Sequence, residues 1–114
     1  MADKILFVGD VVGFKEHAKF EFADGTEGPI DADTSSTWVA TKPASASGSP
    51  VSLAVVGSPP HTRQVTAPAG TAIGVHTVTV TADADPGPGA VPISGAFTVE
   101  VKPNFVSQIV FVDV

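Results

Sequence analysis

The sequence predicts an all-β domain, and three observations carry that expectation. Val, Thr, Ala, Gly and Pro dominate, while Leu, Glu, Lys and Arg, the usual helix-surface residues, are scarce. Short apolar and polar alternations recur, broken by Gly, Pro, Asp and Ser at intervals of about 8 to 12 residues, the spacing of a sandwich or barrel. The chain has 114 residues, close to the commonest size for one domain. Such a chain buries roughly 65% of its unfolded surface, enough for one ordinary core.

Taken in order, Ile5 to Val8 is a short apolar run stopped by Gly9 and Asp10, and Val11 to Phe14 resumes it. That pattern predicts an edge strand with a bulge or kink. From Lys15 to Phe22, Ala18, Phe20 and Phe22 share one parity and Lys15, His17, Lys19 and Glu21 the other, so one face is core and one is water. Asp24-Gly25 is turn chemistry, and the polar connector Thr26 to Ser36 leads to a short strand around Trp38, the only Trp and the expected core anchor.

The breaker-rich stretch Lys42 to Pro50 reads as a loop. Val51, Leu53 and Val55 then alternate with Ser52 and Ala54 until Gly57-Ser58-Pro59-Pro60, and Arg63 to Ala67 is a weaker strand. HTVTVTA, residues 76–82, is the strongest: Val78 and Val80 oppose Thr77, Thr79 and Thr81 in period two. After the loop Asp83 to Gly89, Phe97, Val99 and Val101 alternate with Thr98, Glu100 and Lys102 until Pro103. The total is about seven strands.

Composition also excludes classes of function. Without cysteine there is no disulfide framework, thiolate metal site or cysteine nucleophile. The start MADKILFVGD is too short in apolar residues for a signal-peptide core or a membrane span, which predicts a soluble protein without a secretion signal. A net charge of −6, no basic run, no Tyr and a single Arg, Arg63, disfavour nucleic acid and anionic lipid as partners.

Candidate chemistry is sparse. His17, His61 and His76 are dispersed with no ligand-like spacing and read as ordinary surface or strand-end histidines. Asp31 with Asp33, and Asp83 with Asp85, form two Asp-x-Asp pairs able to share a hard cation such as calcium. They lack the Gly and Glu positions of a recognised calcium loop, so acidic solvated turns are the plainer reading. No Gly-x-Ser-x-Gly turn occurs, nothing marks a carboxylate pair for glycoside hydrolysis, and the Gly residues of DPGPGA are in the wrong company for a phosphate loop. The expectation is a protein that is not an enzyme and needs no cofactor.

The order FEFADGTEGPID, then a Trp, then APAGTAIGVHTVTVTADAD resembles the bacterial immunoglobulin-like domain family over roughly residues 4 to 102. In that family a strand ending in an Asp-Gly turn precedes a Trp strand, and a Gly-Thr-Ala stretch feeds a Val/Thr-rich strand. The resemblance implies an immunoglobulin-like β-sandwich over residues 1–103. Members occur as modules of bacterial surface adhesins and on tailed-phage virions. One copy without a secretion signal or anchor implies the virion, assembled in the host cytoplasm: a structural capsid decoration or tail protein, oligomeric and held to a larger scaffold. The alternative is a carbohydrate or host-surface binding module acting through loops, although sugar platforms favour exposed Trp and Tyr.

The tail, residues 104–114, is expected to add a further strand. In NFVSQIVFVDV, Phe105, Ile109 and Phe111 lie on one face and Val106, Val110 and Val112 on the other. A strand apolar on both faces wants cover on both. ILFVGDV near the start echoes IVFVDV at the end, so the tail pairs with the N-terminal segment within one chain, or it crosses to a neighbouring subunit or scaffold by strand addition. Phe7, Phe105, Ile109 and Phe111 are the expected interface anchors.

Overall fold

The computed structural model describes residues 4–30, 35–83, 92–103 and 109–114. Nine strands and no helix occur among them: β1 (Lys4–Phe7), β2 (Asp10–His17), β3 (Lys19–Glu21), β4 (Glu27–Pro29), β5 (Ser36–Thr41), β6 (Ser52–Val56), β7 (Thr62–Ala67), β8 (Gly74–Asp83) and β9 (Pro92–Lys102). One sheet has the order β1-β9-β8-β5 and a second the order β2-β7-β6, while β3 and β4 form a separate hairpin. The all-β expectation holds, and the two larger sheets share one core in the manner of a β-sandwich.

That core is drawn from both layers. Leu6 of β1, Val78 of β8, and Val99 and Val101 of β9 meet Val65 and Ala67 of β7 and Val51 just ahead of β6. The rings of Phe14 on β2 and Phe97 on β9 bridge the sheets edge to face, with centroids 6.3 Å apart. Trp38 is half-buried and packs at the margin of this cluster, in which Val65, Ala67, Val78, Val99 and Val101 are fully buried.

Several expectations need correction. The expected bulge falls within β2, between Asp10 and Phe14, and β1 and β2 are both edge strands, but of different sheets, with Gly9 and Asp10 passing the chain from one to the other. β1 runs parallel to β9, with Leu6 opposite Val101, and β2 runs antiparallel to β7. At the crossing, the Val8 N–H donates to the Lys102 carbonyl at 3.0 Å and the Gly9 N–H to the Ala67 carbonyl at 2.6 Å. The crossing lets Leu6 reach the core while β2 supplies Phe14 from the opposite layer.

The weakly patterned Arg63–Ala67 segment is the central strand of its sheet, flanked by β2 and β6, with Val65 and Ala67 fully buried. β9 begins at Pro92, five residues before the expected Phe97, because β8 offers it a ladder from Asp83 to Gly74. β4 arises inside the segment read as a polar connector: Glu21 pairs Glu27, and Asp24-Gly25 closes the hairpin as expected. Residues 109–114 carry no strand, residues 104–108 of the expected tail strand lie outside the described residues, and β1 is the edge strand of its sheet, paired on one side with β9.

Candidate functional site

At the end of the sandwich where β2, β5 and β8 meet the first residues of β7 and β9, two features adjoin. The first is polar. Ser36 opens β5, and its hydroxyl accepts the Trp38 indole N–H at 3.1 Å. The same oxygen is hydrogen-bonded with His61 Nδ1, 2.8 Å away. His61 is buried, takes the left-handed conformation at φ 61°, and its carbonyl accepts the Ala18 N–H.

Around this pair, His17 Nδ1 lies 3.0 Å from the buried Thr62 hydroxyl, and the Arg63 guanidinium stacks 5.2 Å over the Trp38 ring. A serine beside a histidine base has the polarity that nucleophilic chemistry needs. Neither Ser36 nor His61, however, lines the neighbouring groove. Among the described residues the pair therefore acts as a buried clasp joining β5 to the loop before β7.

The second feature is apolar. A groove of about 380 Å³ lies between the end of β2 with β3 and the facing strands β8 and β9. Phe20, Ile30, Val80, Ala82, Ile93 and Phe97 supply its apolar walls, and His17, Lys19 and Glu21 lie on its β2–β3 side. It exists because the second sheet stops short: the core-facing row Ile93, Gly95, Phe97, Val99, Val101 is buried only from Val99 onward, and Ile93 remains 50% exposed.

The expected anchors are on the surface. Phe7 closes β1 opposite Lys102 and is about half exposed, at 49%. Ile109 and Phe111 are 79% and 94% exposed, and Val110 and Val112 beside them are equally uncovered. Phe105 lies outside the described residues. Asp31, Asp33 and Asp85 also lie outside them, and Asp83 ends β8 opposite Pro92. Among the described residues no three His, Cys, Asp or Glu side chains gather as a metal site.

His76 departs furthest from expectation. It is not a strand-end histidine; it is fully buried in β8. Its Nδ1 accepts the Val51 N–H at 3.3 Å, which leaves Nε2 to donate to the Ala72 carbonyl at 2.7 Å. Both ring nitrogens are used by backbone, so His76 is a core strut and has no lone pair for a ligand. The signal was in the parity: His76 shares its phase with Val78 and Val80.

No protein-family model, curated protein or solved structure matches this chain.

Proposed function

We propose that this chain is a non-enzymatic assembly module: an immunoglobulin-like sandwich that docks on copies of itself or on a larger scaffold through apolar segments near its two ends. The observation that carries the reading is the row Ile109, Val110, Phe111 and Val112, between 68% and 94% exposed. Contiguous apolar surface of this kind marks an interaction site.

The strand order supports the immunoglobulin-like part. In that fold the second, fifth and fourth strands form one sheet and the third, sixth and seventh the other. With the β3–β4 hairpin set aside, β2-β7-β6 and β5-β8-β9 follow this order. One departure is β1, which joins β9 in parallel and leaves the outer edge of β2 to other contacts.

The resemblance to bacterial immunoglobulin-like domains makes the scaffold a tailed-phage virion and the chain a capsid decoration or tail component. The carbohydrate-binding alternative draws no support from Trp38, which is half-buried beneath Arg63. Light scattering of the purified chain, with and without particles, tests the proposal. Phe111→Asp should weaken self-association or particle docking far more than Thr79→Asp. Equal effects, or unchanged mass and docking after deletion of residues 105–114, would overturn it.

A further inference from the structure

β9 is an open edge over half its length. On one side it pairs with β8 from Pro92 to Lys102; on the other, β1 covers only Val99 to Lys102. Among the described residues nothing pairs with the outer edge of Ile93 to Phe97, and this is the stretch that walls the apolar groove. An edge of free amides and carbonyls beside an unfilled apolar trough is a template for strand addition. The same chain carries a segment with the complementary deficit: Ile109 to Val114 is rich in β-branched residues and has no partner strand among the described residues.

We propose that Ile109–Val114 of a second copy adds as a strand along Ile93–Phe97 of β9, with Ile109 and Phe111 entering the groove against Phe20 and Phe97. This rests on the assembly reading above and names its site and partner. Ile109 and Phe111 share one parity, so both enter from one face of the added strand while its backbone satisfies β9. The groove holds about 380 Å³, ample for these two side chains.

A chain's own tail is poorly placed to fill its own groove. Pro103 follows the far end of β9, and six chain steps separate it from Phe97, about 20 Å at the usual rise. The six chain steps from Pro103 to Ile109 span at most about 22 Å when fully stretched. β1 lies along that edge from Val99 to Lys102, so a chain's own tail would have to be almost fully stretched and pass around β1 to reach the groove. A tail from a neighbour has no such limit. One-way exchange repeated from copy to copy gives a ring or filament, and reciprocal exchange gives a closed dimer.

Two variants separate the halves of the contact: Phe111→Asp disables the tail and leaves the groove, while Ile93→Asp disables the groove and leaves the tail. Both positions are exposed, and thermal melts check that each variant folds. In sedimentation, each alone should associate at least about tenfold more weakly than the unaltered chain. Mixed together, they should form a one-to-one complex, since the mixture holds one intact tail and one intact groove.

If Phe111→Asp abolishes association and Ile93→Asp does not, the groove assignment falls while the assembly reading stands. If neither variant changes association, both fall. A monomeric full chain whose tail amides are protected from exchange, with protection lost in Ile93→Asp, would overturn the second-copy assignment in favour of docking within one chain. A monomer with an unprotected tail would overturn both.

Discussion

At the scale of single residues, His76 and Asp24 show how local hydrogen bonding sets what a side chain contributes. His76 holds two backbone groups together in the core, the Val51 N–H and the Ala72 carbonyl. His76→Leu keeps similar bulk but orphans both groups, so we expect a loss of roughly 2–6 kcal/mol in urea unfolding, at about 1–3 kcal/mol for each unsatisfied group. A loss below about 0.5 kcal/mol, the scale of a neutral surface change, would show that neither bond matters.

Asp24 lies in the exposed hairpin turn, where the Thr26 hydroxyl and then the Thr26 N–H, at 2.6 and 3.0 Å, hold its carboxyl below the ordinary value of 3.8. Because the folded state favours the ionised form, the turn's contribution is complete above the ordinary carboxylate range and is lost as pH falls through the lowered folded value. Thr26→Val removes the hydroxyl and keeps the N–H. The Asp24 carboxyl carbon-13 titration should then move up toward the ordinary midpoint, and an unmoved midpoint would remove the hydroxyl as the main cause.

At the scale of elements, the bulge in β2 depends on one glycine. The Asp10 carboxylate accepts the N–H groups of Val12 and Gly13 at 3.0 and 2.8 Å, and this closes a bulge between Asp10 and Phe14. Gly13 has φ 60°, and a Cβ there would fall on the Val65 carbonyl oxygen, which belongs to the central strand of its sheet. The left-handed conformation alone costs a non-glycine residue about 1–2 kcal/mol. Gly13→Ala adds the clash, so its destabilisation in thermal or urea unfolding should exceed that range. Gly9→Ala, also at positive φ but with open space around it, should cost less. Equal costs would mean that the close approach to β7 is unimportant.

Elements also show where sequence patterns are readable. β8 was legible because period-two alternation of Val and Thr needs no knowledge of its neighbours. β7 was faint because only Val65 and Ala67 carry its inward face, and its burial comes from strands on both sides. β9 was read as half its length because Pro92 to Ala96 has little apolar signal and is a strand through its pairing with β8. Trp38 drew attention as the lone Trp, yet two branched residues of β8 and β9, Val78 and Val99, lie deeper.

At the scale of the whole molecule, each copy carries a net charge of −6. Copies repel one another at low ionic strength, while the proposed contact is apolar and made by backbone pairing. Raising ionic strength from about 0.01 to 0.15 M shortens the screening length from about 30 to 8 Å, so self-association should strengthen over that interval. Sedimentation across the series checks this, and weakening with salt would point to an interface held by ion pairs.

Residue pattern alone determined that the chain is all-β, where its Asp24-Gly25 turn falls, and that Ile109 to Phe111 is an unbroken apolar run. These follow from local period, turn chemistry and hydrophobicity. Only the tertiary structure decided that β1 lies beside β9, that β7 is central, that His76 is a core strut, and that Ile93 to Phe97 is left open beside a groove. The physical reason is that alternation specifies which way a side chain faces but not what lies opposite. That is set by pairing across the chain, as when Lys4 meets Val99.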